Sequence, residues 1–264
     1  MACALVNVWG HDATHTTLVP ACGHTMQPSP LRADSSHPTQ DNAAMPTGYA
    51  FIAAFVLCAL LHLTTFAVVG TAFRIPVREM TLGFGPQLIR LGRVRIRLLP
   101  LGGSVRFKDL SEDALTEDDL LGALDTQPLW MQLVLALSGG TMLLVVALAL
   151  LQLEALPTFI HGFAQIVLGA LSPAGDAQTF LAQAHQAILQ WPFTMLLGSV
   201  AAKFAAFNLL PLPATNGGQA LAFIGRKLGL ARTWPAQLTQ LLMLAYLALV
   251  LSWAAALLMY IAHR

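Results

Sequence analysis

The sequence predicts an α-helical polytopic membrane protein with about four transmembrane helices and a small membrane-associated antiparallel β-sheet between the first and the second. Three observations carry that expectation. Of 264 residues, 56% are hydrophobic and only 10% charged, with a mean hydropathy of +0.65, well below the roughly 25% charge of a soluble domain. Stretches free of Asp, Glu, Lys and Arg run over 42–73, 126–153, 177–202 and 233–263, each longer than the ~20 residues that cross a bilayer. The charge is instead concentrated, with 16 of the 27 charged residues, eight basic and eight acidic, between positions 74 and 125. A net charge of +1 lacks the basic field that binding to a phosphate backbone requires, which argues against nucleic acid as a partner.

Residues 1–47, rich in Pro, Ser, Thr, Asn and His, read as a disordered tail, and Met45 is a candidate start just before the first span. The opening lacks the basic n-region of a signal peptide, and its apolar run breaks at Asn7. Three cysteines are too few for a disulfide scaffold. Cys3, His11, His15, Cys22 and His24 lack the spacing of a zinc finger. The first span, about 49–73, has Tyr49 as an interfacial anchor and Arg74 and Arg78 at its exit; Cys58 within it reads as a small buried thiol.

Over about 75–108 the period changes. Arg93, Arg95 and Arg97 alternate with Val94, Ile96 and Leu98, the pattern of a strand with one basic and one apolar face. Gly83-Phe-Gly-Pro86 and Pro100-Leu-Gly-Gly103 supply the turns. The apolar face is expected to press the sheet against the membrane. Glu112, Asp113, Glu117, Asp118 and Asp119 then form a solvated acidic helix or loop. The remaining spans are expected at about 130–153, 191–210 and 236–262, the third ending where Pro211 and Pro213 break the helix. Residues 158–171 are apolar but short and lie between Pro157 and Pro173, which suits an interfacial or re-entrant helix. Cytoplasmic loops carry the excess of Lys and Arg. The basic loops that follow the first and third spans therefore belong inside, which places both termini outside.

Four segments, in order and spacing, now acquire a joint meaning. Met80-Thr-Leu-Gly-Phe-Gly-Pro86 follows the first span, then come Leu99-Pro-Leu-Gly-Gly-Ser-Val-Arg106 and Gln127-Pro-Leu-Trp130, and the third span ends in Asn208-Leu-Leu-Pro-Leu-Pro-Ala-Thr-Asn-Gly-Gly-Gln-Ala-Leu221. Over residues 48–225 the chain resembles the site-2 protease family of zinc-dependent intramembrane metalloproteases. The resemblance implies a helical membrane core with a β-sheet after the first span, a bacterial inner membrane location, and transmembrane segments of other proteins as partners within the lipid bilayer. No separate periplasmic PDZ domain fits between the second and third spans.

The chemistry departs from that family. There, His-Glu-x-x-His on the first span supplies two zinc ligands and a base; here the segment reads His62-Leu63-Thr64-Thr65-Phe66. The family's third ligand, the Asp of Asn-x-x-Pro-x-x-x-x-Asp-Gly, corresponds to Asn216 before Gly217, in a motif that keeps Asn208 and Pro211. Leu63 cannot take a proton and Phe66 cannot ligate a metal. An amide oxygen is a poor zinc ligand, and neither Glu79 nor Glu154 is spaced to replace the missing base.

The resulting expectation is a pseudoprotease that binds or regulates transmembrane partners without a cofactor. The alternative is a divergent zinc protease using His62, Asn216 and a residue from elsewhere. A small transporter is disfavoured by the absence of an internal repeat. His62 reads either as a relic ligand or as a polar residue bonded within the bundle. Asn208 and Asn216 read as satisfiers of backbone groups freed by the prolines, or as binders of a substrate segment. Lys203, the one formal charge within a span, either stands in for the lost cation beside His62 and Asn216 or snorkels to the cytoplasmic face. The strand of Arg93, Arg95 and Arg97 either captures a partner segment by edge pairing or binds anionic headgroups.

Overall fold

A computed structural model describes residues 47–108, 123–229 and 236–263. All that follows concerns the unit Ala43–Arg264. Residues 1–46 of the expected tail, Cys3 and Cys22 among them, and the acidic stretch Glu112, Asp113, Glu117, Asp118 and Asp119 lie outside the described residues.

Helix α1 (Thr47–Ala72) is stopped by local geometry. Arg74 takes a left-handed conformation with φ 58°, the Ile75 amide donates back to the Gly70 carbonyl at 2.8 Å, and Pro76 cannot continue a helix. Two long strands follow, β1 (Val77–Leu91) and β2 (Val94–Phe107), paired antiparallel. Each bends sharply, β1 where Gly83 and Gly85 adopt φ near +90°, a region glycine enters without the penalty a Cβ brings. Four segments therefore lie side by side in the order 87–91, 94–97, 79–82 and 103–107. Both outer pairs are antiparallel as expected; the central pair, Met80 to Leu82 with Val94 to Ile96, advances in the same direction.

This order corrects one expectation. The segment carrying Arg95 and Arg97 is paired on both sides and has no free edge, because β1 passes it twice. The outer segments, 87–91 and 103–107, are each paired on one side, and 103–107 is the one that lies against α1. The two faces separate as the alternation requires. Val105 and Phe107 pack on Phe66, Ile75 and Leu135, so the apolar face sits on the end of the helical bundle.

A short 3-10 turn, Leu124–Thr126, leads to α2 (Leu129–Leu151), which runs antiparallel to α1: Phe73 meets Trp130 edge-on at 5.6 Å, and Cys58 packs with Leu143 and Ala147. Cys58 is a buried free thiol. A 3-10 break at Gln152–Glu154 separates α2 from α3 (Ala155–Leu171); α4 (Asp176–Gln190) and α5 (Phe193–Asn208) follow. Gly198 near the start of α5 lies against Leu150 and Leu151, and Leu209 just past its end lies against Gly140. Because α2 ends and α5 begins at the same end of the bundle, α3 and α4 leave and return as a hairpin.

The third expected span is thus a 16-residue helix, about 24 Å long against the ~30 Å of hydrocarbon a lone span must cover. Its Ala201, Ala202, Ala205 and Ala206 are wholly buried among neighbouring helices, so α5 need not span the bilayer as an isolated helix would. Among the described residues three stretches, Tyr49–Ala72, Leu129–Leu171 and Gln237–Ala262, are long and apolar enough to cross a membrane. The protein is an integral membrane protein.

Helix α6 (Asn216–Lys227) returns towards the sheet end, where Arg226 pairs with Asp125 at 2.9 Å. The last helix, α7 (Ala236–Ala262), is fastened to the α3–α4 hairpin by hydrogen bonds. The Trp253 indole donates to the Ile166 carbonyl at 2.9 Å, the Ser252 hydroxyl to Ala170 at 2.5 Å, and the Gln178 amide to Ala256 at 2.9 Å. Trp253 lies so close over Gly169 that a Cβ there would strike the ring. Gly169→Leu is expected to displace the indole and destabilise the protein by about 1–3 kcal/mol, read as a lower unfolding temperature in detergent, whereas Leu258→Ala on the exposed face of α7 leaves it unchanged.

Candidate functional site

The fold brings His62, on the middle of α1, to Asn216, the first residue of α6, across 154 positions of sequence: Asn216 Nδ2 lies 3.1 Å from His62 Nε2, and the contact is buried. With the amide as donor, Nε2 accepts and the ring proton resides on Nδ1. Nδ1 faces the backbone of Gly139 of α2, where an added Cβ would come within 2.5 Å of it and 2.8 Å of Phe66. Gly139 is therefore what allows the imidazole to lie between the two helices.

Three other elements surround the imidazole. The Phe66 ring, one turn further along α1, lies 5.2 Å from it and the Phe204 ring of α5 5.8 Å. Leu63 is buried, 3% exposed, and its Cδ1 touches Gly103 of β2. The edge segment of the sheet thus rests on the helix turn that holds the degenerate motif. Phe107 extends this apolar wall, its ring 6.5 Å from Phe66.

The loop between α5 and α6 is built to end one helix and start another without water. Pro211 and Pro213 have no amide to donate. Asn208 Nδ2 donates to the Phe204 carbonyl at 2.8 Å. The Thr215 hydroxyl donates to the carbonyls of Leu210 and Leu212 and accepts from the Gly218 amide at 3.4 Å as the N-cap of α6. Gly217 sits against the carbonyls of Leu209 and Leu210, with no room for a side chain.

Beside this site lies a cavity of about 750 Å3, whose walls include His62, Leu63, Phe66, Asn208 and Asn216, the edge residues Gly102 to Phe107, Phe204 and Phe207 of α5, Gln219 and Phe223 of α6, and Tyr246 and Val250 of α7. Of the residues singled out in the sequence, His62, Leu63, Phe66, Asn208 and Asn216 converge here, and Gly217 and Pro211 shape the adjoining loop. Lys203 does not line the cavity; it lies against Gly162 of α3. Arg93 Nη1 donates to the Val77 carbonyl at 3.1 Å, and Arg95 and Arg97 line a separate recess on the polar face of the sheet. Sequence reasoning missed Gly139, Phe107, Gln219 and Tyr246. The pair Gly139-Gly140 inside an apolar helix is a signal of close helix approach; nothing in the sequence marks the other three.

Hydrolytic zinc requires three protein ligands, an open position and a base. The donor set here does not fit it. One imidazole and one amide face each other, and the side chains of Phe66, Phe204 and Leu63 around them carry no ligating atom. Among the described residues no group of three or more His, Cys, Asp or Glu comes together.

The sequence model of Peptidase family M50 matches residues 50–253, a range that contains the whole cavity. No curated protein matches the chain.

Truncating Asn216 leaves the buried Nε2 without a donor. Asn216→Ala is expected to destabilise the protein by about 1–3 kcal/mol in thermal unfolding, and Asn216→Asp to recover most of that loss, because a carboxylate can accept from the other imidazole tautomer.

Proposed function

The chain belongs to Peptidase family M50, the site-2 protease family, and we propose that it is a catalytically inactive member, a pseudoprotease that binds transmembrane segments of other proteins. The observation that carries this reading is the buried His62–Asn216 contact closed off by Phe66: the positions that would hold zinc in the family are occupied by groups that satisfy one another. Leu63 packs on the sheet where the family would need a carboxylate to activate water, so the site is reinforced as structure instead of being left open for chemistry.

The cavity supports the binding half of the proposal. Its apolar rings suit a lipid-embedded helix that unwinds, and the single-sided pairing of 103–107 offers backbone groups to an extended segment by strand addition. Basic residues concentrate in the sheet region, with Arg74, Arg78, Arg90, Arg93, Arg95, Arg97, Arg106 and Lys108 within 35 positions, which supports a cytoplasmic sheet and termini on the opposite side of a bacterial inner membrane.

Elemental analysis of the purified protein in detergent is expected to find zinc far below one equivalent, and His62→Ala to change no cleavage assay; stoichiometric zinc lost in His62→Ala would establish the divergent protease instead. Photocrosslinkers placed at Tyr246 and at Leu258 separate cavity from lipid face. The first is expected to capture membrane proteins that the second does not, and equal capture from both would remove the binding reading.

A further inference from the structure

The polar face of the sheet, turned away from α1, holds a recess of about 210 Å3, several times the roughly 30 Å3 that a liquid water occupies. Strand register builds it. Thr81 stands opposite both Arg95 and Ser104, and Glu79 opposite Arg106, so side chains from three adjacent segments converge, with Arg97 one pleat further along. The lining carries three guanidinium groups and one carboxylate. That carboxylate is already engaged: Glu79 Oε1 accepts from the Thr81 hydroxyl at 2.9 Å and from Arg95 Nε at 3.1 Å. Among the described residues Arg97 Nε is buried without a hydrogen-bond partner. A buried cationic donor without an acceptor is costly, which favours an anionic acceptor at this wall.

We propose that the recess is a binding site for a phosphate group. Guanidinium forks match the oxygens of phosphate and hold them by charge-assisted bonds, and donors approaching from three strand segments suit a tetrahedral anion better than a planar carboxylate. Ser104 also lines the recess and carries a hydroxyl that can donate to an anion. The opposite face of the sheet packs on the bundle end, which places the recess at the level where a bilayer presents its headgroups. The ligand is thus the phosphate of an anionic lipid headgroup or free inorganic phosphate. The proposal does not depend on whether the His62 site is catalytic.

Full-length protein in detergent tests it with two probes. In native mass spectrometry phosphatidylglycerol is expected to be retained over diacylglycerol, and calorimetric titration measures inorganic phosphate, with acetate as the planar control. Arg97→Gln is expected to weaken whichever probe binds by about tenfold, the loss of one charge-assisted bond. Glu79→Gln, which removes the competing carboxylate, is expected to tighten it severalfold, a gain that misfolding cannot produce. Retained phosphatidylglycerol that inorganic phosphate does not displace assigns the site to lipid; phosphate binding without lipid preference assigns it to the free anion; displacement of one by the other assigns it to both. Binding of neither probe, acetate binding as tightly as phosphate, an unaltered Arg97→Gln or an unaltered Glu79→Gln would each overturn the proposal.

Discussion

A helix that ends within a bundle of membrane helices leaves carbonyls and amides with no water to bond, and each unsatisfied group costs several kcal/mol in hydrocarbon. The junction between α5 and α6 is organised around that constraint. Two prolines remove donors that would otherwise need partners, Asn208 and Thr215 turn their side chains onto freed carbonyls, and Thr215 caps the helix that follows. Glycines at 217 and 218 let that helix begin in contact with the backbone it leaves. Asn216, fixed at the first turn of α6, is then delivered to His62. The contact at the centre of the site is therefore a consequence of how the chain solves a backbone problem.

The same geometry ties α1 to the start of α6. Here a direct imidazole–amide contact makes the link, and Phe66 fills the remaining volume against His62 and Phe107. Apolar replacement of buried polar groups is tolerated when volume is kept, and Leu63 and Phe66 are both well buried. The sheet gains from this as well, since Gly103 and Phe107 of its edge segment rest on these two side chains and on α1. Cavity, sheet edge and degenerate motif form one packed unit. The arginines on the far face of the sheet belong to a different environment, the polar recess they share with Glu79.

Much of this could be read from the chain alone. Apolar run lengths located α1, α2 and α7 to within a few residues, because hydrocarbon thickness imposes a length that little else imposes. Period-two alternation at residues 93–98 located the sheet, and the Gly-Phe-Gly-Pro turn located its bend. His62, Phe66, Asn208 and Asn216, picked out by their resemblance to the family's motifs, all line one cavity. What alternation could not tell was strand order. Residues 94–97 lie inside the sheet since β1 crosses them twice, and the edges are 87–91 and 103–107, a matter of long-range pairing that no local pattern encodes.

The sequence by itself determined that this is a membrane-embedded chain of the site-2 protease family, because composition, run length and motif spacing are local properties. Only the tertiary structure decided which side chains meet. It showed that His62 and Asn216 bond each other, that Gly139 makes room for the imidazole, that Lys203 turns to α3 and away from the cavity, and that Arg95, Arg97 and Arg106 share one recess. Each of these depends on which surfaces meet across tens to more than a hundred residues, and such meetings are set by close packing of the whole bundle, not by the pattern within any one segment.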